Sequence, residues 1–178
     1  PLPSASDWVS VSHLLKRCEN EARGLSVALT RKQAKPHVLT FPDANTLSHA
    51  GDIAGASAEL HSAFSNLLAN AMRYTPAGGK IEVRWEHEPS GAARFVVKDS
   101  GPGIDPAHVS RLTERFYRVD RSRSRDTGGT GLGLAIVKHV LQRHGAKLGI
   151  SSELGKGSEF SVTFPASRVR AELAEKAA

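Results

Sequence analysis

Asn66-Leu67-Leu68-Ala69-Asn70 is the first of three short segments that decide the fold of this 178-residue chain. Its two asparagines are four residues apart, so they lie on one face if the segment is helical. Amide oxygens on one face can hold a hard cation such as Mg²⁺. The segment therefore predicts a helix that presents a cation site.

The second segment is Asp99-Ser100-Gly101-Pro102-Gly103, which places a carboxylate beside a tight turn that glycine permits. Asp99 can accept a hydrogen bond from an exocyclic amine, which adenine has and guanine lacks at the corresponding ring position. Gly101 and Gly103 would let a flat base lie close to the backbone. This segment predicts a site for adenine.

The third segment is a glycine-rich turn, Gly129-Thr130-Gly131-Leu132-Gly133-Leu134, which runs directly into a helical pattern over residues 134–141. Free N–H groups and the positive end of the helix dipole at such a turn favour phosphates. One glycine-rich turn is weak evidence for a nucleotide site. The three segments in this order predict an ATP site.

Composition indicates one domain with a full core, because 39% of the 178 residues are hydrophobic. No run approaches the roughly 20 apolar residues that span a bilayer, and no charged start followed by an apolar stretch suggests a signal peptide. We therefore expect a soluble domain without direct membrane contact. The single cysteine, Cys18, excludes a disulfide within the chain and is expected to be a half-buried helix residue.

The net charge of +6 and the isoelectric point near 9.8 favour an acidic ligand or partner. Nucleic acid is disfavoured because only 6% of residues are aromatic, and the densest basic run, residues 121–125, contains no aromatic side chain for base stacking. The eight histidines lack a close metal-ligand spacing on any one predicted helix. We expect ATP and Mg²⁺ as cofactors and no nucleic-acid partner.

Apolar periodicity predicts helices over residues 14–30, 59–74 and 134–145, and strands near residues 8–11, 37–41, 81–85, 95–97, 147–152 and 158–164. Residues 43–58 show no clear pattern. The arginine-rich stretch over residues 105–130 predicts a lid, since long loops in compact domains are usually functional. Residues after Pro165 are expected to form a frayed helix. A helical face against a mixed sheet predicts a two-layer α/β sandwich.

The three segments resemble the N, G1 and G2 boxes of the GHKL ATP-binding superfamily, which contains sensor histidine kinases, type II topoisomerases, Hsp90 chaperones and mismatch-repair ATPases. Residues 115–120 resemble the F box of sensor histidine kinases specifically. The resemblance runs from about Trp8 to Pro165, and residues 111–120 and 127–140 are most similar to phosphate-regulon sensor kinases of Gram-negative bacteria. It implies a Bergerat fold, in which ATP lies between helices and a long lid on one face of the sheet.

Residues 1–7 are rich in proline and serine and are expected to be a linker remnant. The resemblance implies a catalytic and ATP-binding domain at residues 8–165, which leaves residues 166–178 as a C-terminal tail. The implied protein is a sensor histidine kinase of the inner membrane, of which this chain would be a cytoplasmic domain. Its implied partners are its own dimerisation helices, which carry the acceptor histidine, and a response regulator of the OmpR/PhoB type.

Site roles follow from the same resemblance. Asn70 would ligate Mg²⁺, with Asn66 assisting through its oxygen or through a water molecule, and Asp99 would bind the adenine amine. Arg118 would stabilise charge on the γ-phosphate, so Arg118 and Asn66 are the candidate catalytic residues. For Arg73 and Arg118 a plain surface position stays open, and for Tyr74 a core position. The further ATP-binding residues implied are Arg73, Tyr74, Gly101, Gly103, Ile104, Gly129, Thr130, Gly131, Leu132, Gly133 and Ser158.

The reaction type depends on one position. ATP-hydrolysing members of the superfamily carry a glutamate general base four residues before the metal-binding asparagine, where this chain has Asn66. An amide is a poor base near neutral pH. The resemblance therefore implies slow hydrolysis and transfer of the γ-phosphoryl group to a histidine. None of the eight histidines lies in the His-Glu-hydrophobic-Arg-Thr-Pro context of that acceptor, so we expect the acceptor helix to lie outside this chain.

Other classes of protein fit the sequence less well. P-loop, dinucleotide-binding and eukaryotic-type protein kinase signatures do not occur in the sequence. A GHKL serine kinase of the anti-sigma or mitochondrial dehydrogenase-kinase kind would share the boxes, but Phe116-Tyr117-Arg118 and the long lid disfavour it. A nucleotide-sensing module without transfer activity is the remaining alternative.

Overall fold

The structure is a computed structural model in which residues 7–114 and 133–171 are described. Its helices are α1 (Val11–Leu29), α2 (Ala44–Ser48), α3 (Ser57–Tyr74), α4 (Pro106–Val109) and α5 (Gly133–Arg143). Its strands are β1 (Trp8–Ser10), β2 (Val38–Thr40), β3 (Asp52–Ala54), β4 (Lys80–His87), β5 (Ala93–Asp99), β6 (Lys147–Glu153), β7 (Gly157–Phe164) and β8 (Val169–Arg170).

Five strands form the main sheet, in the order β2-β4-β5-β7-β6. The β2 and β4 strands pair in parallel, whereas the other neighbours pair antiparallel. Strand β5 is therefore central, and Asp99 at its end is aligned with Ile81 of β4 and Ser158 of β7. This register places the last residue of the central strand at the end of the sheet where the candidate site begins.

Helix α3 packs on this sheet through the apolar stripe that its sequence predicts. Phe64 stacks on Phe95 of β5 with ring centroids 4.0 Å apart, and both α1 and α5 contact α3. The predicted two-layer α/β sandwich is confirmed. Cys18 of α1 is fully buried rather than half-buried, and burial raises the pKa of its thiol to about 11. The buried stripe of α3 consists of Leu60, Ala63, Phe64, Leu67, Leu68, Ala71 and Met72.

A second sheet, which the sequence does not predict, is formed by β1, β3 and β8. For the described residues 166–171 it corrects the expectation of a frayed helix after Pro165, because there only Ala166–Arg168 is helical, as one 3₁₀ turn, and β8 then pairs with β3. The Arg170 guanidinium donates to Asp52 Oδ2 over 2.6 and 3.0 Å and lies 4.5 Å from the centre of the Trp8 ring. Strands of two or three residues are too short to show a periodicity.

Only the first part of the expected lid belongs to the described residues. Asp105 caps α4, since its carboxylate accepts a hydrogen bond from the Ala107 N–H over 2.8 Å, and Leu112 is buried. Residues 115–132 lie outside the described residues, so the F box and most of the glycine-rich turn do too. Within the part that is described, none of the helices combines the length and the apolar character needed to cross a membrane.

Candidate nucleotide-binding site

Asp99 is a buried carboxylate at the end of the central strand, with 7% of its surface exposed. Its Oδ1 accepts a hydrogen bond from the Gly101 N–H over 2.9 Å. Burial raises the pKa of Asp99, and hydrogen bonds from the backbone N–H groups of Gly101 and Ser158 partly oppose that rise. The carboxylate is thus held in one orientation as an acceptor, which is what recognition of an amine requires.

Gly101 and Gly103 follow Asp99, and the fold itself requires both glycines. A Cβ on Gly101 would lie 2.9 Å from the Tyr74 carbonyl oxygen and 3.0 Å from Asp99 Oδ1. Gly103 has φ +78°, and a Cβ there would collide with the Glu153 carbonyl in the turn between β6 and β7. The structure therefore explains these glycines by packing of the turn against α3 and the hairpin, whereas the sequence interpretation explained them by the approach of a base.

Ser158 and Ile104 lie around the same turn. The Ser158 hydroxyl forms a 2.8 Å hydrogen bond with the Ser152 hydroxyl, whose oxygen also accepts from the Ile104 N–H over 2.7 Å. Ser158 has 6% of its surface exposed, and Ile104 is partly buried against the core. The structure thus brings three of the residues predicted for the adenine side, Asp99, Ile104 and Ser158, into one hydrogen-bonded unit.

Asn66 lies on the face of α3 that meets the start of α5. Its Nδ2 donates to the Ser62 carbonyl oxygen over 2.8 Å, and a carbonyl can pair only with the NH₂ side of the amide. Its Oδ1 consequently points towards α5, where a Cβ on Gly133 would lie 3.0 Å from it. The amide oxygen and not the amide nitrogen is therefore presented beside the glycine that begins α5.

Asn70, Arg73 and Tyr74 follow along α3, and all three are half-buried. Asn70 is one turn beyond Asn66, on the same side of the helix. The Asn70 amide has no hydrogen-bond partner among the described residues. Tyr74 ends the helix, and its carbonyl faces Gly101. The C-terminal end of α3 thus contacts the Asp99 turn, and the middle of α3 contacts the start of α5.

The donor set of α3 fits a hard cation. Amide oxygens are ligands that Mg²⁺ and Ca²⁺ accept, and the Asn66 oxygen already points out of the helix. Among residues 7–114 and 133–171, no three His, Cys, Asp or Glu residues are grouped as a metal site. The asparagine pair is a candidate cation position because of its amide oxygens.

Helix α5 begins at Gly133, and an ion pair fixes it against α3. The Arg143 guanidinium donates to the Glu59 carboxylate over 2.6 and 3.2 Å. The Arg143 guanidinium lowers the pKa of Glu59. Because the pair joins the end of α5 to the start of α3, it helps to hold Gly133 beside Asn66. Arg118, Gly129, Thr130, Gly131 and Leu132, also predicted for the site, lie outside the described residues.

Two buried histidines support α3, and the sequence does not predict either role. His144 is fully buried; its Nε2 accepts from the Ala56 N–H over 3.1 Å and its Nδ1 donates to the Val140 carbonyl over 2.8 Å. It thereby caps the N-terminus of α3, which has no side-chain cap of its own. His37 lies at the other end, with Nε2 donating to the Thr75 carbonyl over 2.8 Å.

The fold and the site together define an α/β domain in which one helix joins the turn after Asp99 to a helix that begins with glycine. The sequence model of the family described as histidine kinase-, DNA gyrase B-, and HSP90-like ATPase matches residues 55–168. The chain belongs to this family of ATP-binding domains. The resemblance seen in the three boxes is therefore confirmed.

Curated relatives are sensor proteins. The phosphate regulon sensor protein PhoR of Pseudomonas aeruginosa is 48% identical over 175 residues, which cover 98% of this chain and 37% of that protein. The protein of the same name from Haemophilus influenzae is 50% identical over 113 residues, which cover 64% of this chain and 26% of that protein. The chain thus spans little more than a third of the length of the Pseudomonas aeruginosa protein.

Solved structures agree with these relatives. A mycobacterial sensor histidine kinase, MprB, has a TM-score of 0.72 at 28% identity, covering 93% of this chain and 99% of that chain. Full-length ShkA in complex with AMPPNP has a TM-score of 0.70 at 25% identity, covering 92% of this chain and 31% of that chain. The fold is that of histidine kinase catalytic domains.

Proposed function

We propose that the chain is the catalytic domain of a sensor histidine kinase, which binds Mg-ATP and passes its γ-phosphoryl group to a histidine on a separate dimerisation helix. The observation that carries this is the arrangement along α3. Asn66 meets the start of α5, and Tyr74 meets the Asp99 turn eight residues later, about 12 Å along the helix axis. The base belongs at the Asp99 end, and the phosphates belong at the α5 end.

The site residues divide into those that bind the base and those that bind the metal ion and the phosphates. Asp99 accepts a hydrogen bond from the exocyclic amine of adenine, with Tyr74, Ile104 and Ser158 around it. Asn70 and Asn66 hold Mg²⁺ through their amide oxygens, and the N–H groups at the start of α5 face the phosphates. ATP supplies the phosphoryl group when bound. Arg73 and the undescribed Arg118 are the cations proposed for the phosphates.

Transfer is favoured over hydrolysis because the position of the general base is occupied by an amide. Asn66 Nδ2 is used by the Ser62 carbonyl, and its oxygen cannot take up a proton near neutral pH. A water molecule beside Asn66 would therefore lack a base. The proposed phosphoryl acceptor is a histidine, and the proposed relay partner is an aspartate of an OmpR/PhoB-type response regulator.

The proposal extends to the whole protein of which this chain would be one domain. Residues 1–7 would be a linker, residues 8–165 the catalytic domain and residues 166–178 a tail. The domain would act in the cytoplasm beneath an inner-membrane sensor, without touching the membrane or nucleic acid itself. This placement rests on the naming of relatives as phosphate regulon sensor proteins.

The proposal is tested by mixing the chain with γ-labelled ATP, Mg²⁺ and a dimerisation-helix fragment that carries the acceptor histidine. We expect a phosphorylated fragment whose adduct is acid-labile and base-stable, and negligible labelling of the chain itself. A fragment in which the histidine is replaced by glutamine is the matched control. An acid-stable adduct on a serine would instead support the GHKL serine kinase, and ATP binding without any transfer would support the sensing module.

A further inference from the structure

His37 is a buried histidine between α1 and β2, and its side chain links α1 to the end of α3. It has 7% of its surface exposed, and its Nε2 donates to the Thr75 carbonyl over 2.8 Å. In the neutral ring Nδ1 must then accept, and it does so from the Ser26 hydroxyl over 2.7 Å. The Ser26 oxygen accepts in turn from the His37 N–H over 2.9 Å. Both ring nitrogens are thus paired, so the ring has one fixed orientation.

Thr75, the residue that follows α3, is held by its backbone. Its N–H donates to the Ala71 carbonyl over 3.0 Å, within the last turn of the helix. Its hydroxyl is buried and has no hydrogen-bond partner among the described residues. The bond from His37 to the Thr75 carbonyl therefore ties the end of α3 to a different segment of the chain.

The end of α3 packs directly on the Asp99 turn. A Cβ on Gly101 would lie 2.9 Å from the Tyr74 carbonyl oxygen and 3.0 Å from Asp99 Oδ1, so the turn and the helix end are in closed contact. The Gly101 N–H is also the donor that orients the Asp99 carboxylate, over 2.9 Å. A displacement of the helix end would therefore move the group that directs Asp99.

A second set of bonds joins the same chain segment to this turn. The Val38 N–H donates to the Gly79 carbonyl over 2.8 Å. The next residue, Lys80, donates its N–H to the Ser100 hydroxyl oxygen over 2.9 Å, and its carbonyl accepts from the Ser100 N–H over 3.0 Å. Ser100 directly follows Asp99 in the chain. The segment that contains the buried histidine thus reaches the Asp99 turn by two routes.

We propose that His37 is a positioning residue for base recognition, which holds the end of α3 against Gly101 and so keeps the Asp99 carboxylate directed at the amine of adenine. The inference rests on the proposed function, because it assumes that Asp99 receives adenine. His37 acts through Thr75 and Gly101 and not by contact with the nucleotide. Recognition groups need such support, since their own orientation has to be fixed by surrounding hydrogen bonds and packing.

The test compares His37→Asn with His37→Gln, because the two amides replace different nitrogens of the ring. The shorter asparagine amide stands where Nδ1 does and can pair with Ser26, but it does not reach the Thr75 carbonyl. The glutamine amide extends to the position of Nε2, where its NH₂ group can donate to that carbonyl. Titration calorimetry with Mg²⁺ gives the affinities for ATP and for purine riboside triphosphate, an analogue that lacks the exocyclic amine.

We expect His37→Asn to reduce the ratio of ATP affinity to analogue affinity about three- to tenfold. His37→Gln should keep most of the ratio. A smaller folded fraction lowers both affinities equally, so the ratio reports the geometry of the base end and not stability. His87→Asn is the matched control, because His87 is exposed on β4 and pairs in register with Ala93, at the far end of the sheet from Asp99. It should leave the ratio unchanged.

An unchanged ratio in His37→Asn, or equal losses for both nucleotides, would overturn the inference and leave His37 with a role in the fold alone. An equal fall in His37→Gln would refute the bond to Thr75 as the cause. If His37→Asn does not fold, Ser26→Ala decides: it keeps the imidazole but removes the hydroxyl that orients it, so it should lower the ratio in the same direction, and an unchanged ratio would overturn the inference.

The unaltered chain separates this inference from the proposed function. Tight binding of ATP by the unaltered chain, together with any of the contrary results, would leave the proposed function intact. Failure of the unaltered chain to bind ATP would overturn both.

Discussion

Asp99 keeps an ionisable carboxyl group where burial disfavours its charge, as the rise in its pKa shows. Replacement by asparagine should therefore leave the stability of the empty domain unchanged or slightly higher. The amide oxygen can still accept from the Gly101 N–H, but an NH₂ group would then face the amine of adenine. We expect Asp99→Asn to weaken ATP binding by more than about tenfold in titration calorimetry.

Asn66→Ala provides the comparison for Asp99→Asn, because it removes an amide from the phosphate end of the site and not from the base end. Its effect on ATP affinity should be much smaller and should depend on Mg²⁺. In the same calorimetry, the unaltered chain should prefer ATP to GTP. Equal affinities for ATP and GTP would refute recognition of adenine by Asp99.

His144 gives the fold a pH dependence whose sign follows from its hydrogen bonds. Burial lowers the pKa of His144, and its Nε2 must stay unprotonated to accept the Ala56 N–H. Below about pH 6.5 the unfolded chain takes up a proton at this residue before the folded chain does. The contribution of His144 to the free energy of unfolding should therefore be fully present above that pH. It should fall as the solution becomes more acidic.

Urea unfolding at about pH 7.5 and about pH 5.5 measures this effect. His144→Gln should lower the free energy of unfolding at both pH values. It should also make this free energy depend less on pH, because the variant loses the uptake of about one proton on unfolding at the lower pH. His139→Gln is the control, because His139 is an exposed residue on the same helix. An identical pH slope in the His144 variant and the unaltered chain would contradict the assignment.

At the scale of elements, two glycines differ in whether their surroundings leave room for a side chain. Gly157 lies in the sheet and Gly24 in a helix. Gly157 begins β7 with φ +122°, and a Cβ there would collide with the Asp99 carbonyl. Gly157→Ala should destabilise the domain by about 2 kcal/mol or more, because both the backbone and the neighbouring strand must shift. Gly24 lies within α1 with nothing within 4 Å of an added Cβ, so Gly24→Ala should stabilise it by about 0.8 kcal/mol. Thermal unfolding of both variants decides, and equal shifts would contradict the packing described.

Which elements the sequence predicts depends on their length. Helix α3 and strands β4, β5 and β7 are long enough to show a period of 3.6 or 2 residues, and they are confirmed. The elements within residues 43–58 have only five and three residues, so no period can appear. The β8 strand follows a proline and pairs with a strand more than a hundred residues earlier. No local pattern can encode that pairing.

At the scale of the whole molecule, Arg170 joins the end of the described chain to its beginning. Its guanidinium contacts Asp52 of β3 and the ring of Trp8 in β1. Arg170→Ala should lower stability by about 0.5–1 kcal/mol, since the ion pair is partly exposed and the cation lies over an aromatic ring. Urea unfolding followed by tryptophan fluorescence measures this, because Trp8 should report the change. Arg31→Ala, at an exposed arginine, is the control, and equal effects would refute the contact.

The candidate site could be predicted in part because its chemistry is carried by short segments. Asn66 and Asp99 lie where their motifs indicate, one on a helix face and one at a strand end. Three supporting residues were not predictable. His144 caps a helix that begins 87 residues earlier, His37 pairs with Ser26 and Thr75, and Thr75 shows its unpaired hydroxyl only in the folded chain. These roles depend on contacts between distant segments, which a linear pattern does not record.

The strand order has a consequence for the growing chain on the ribosome. Asp99 ends the central strand, but one of its two neighbours, β7, is translated about sixty residues later. Until that hairpin emerges, the carboxylate lacks the Ser158 N–H and the sheet has an open edge beside it. Partly made chains should therefore be unable to retain nucleotide, and β5 should be exposed to wrong pairing during synthesis. A cell would gain a competent ATP site from this gene only after β7 leaves the exit tunnel.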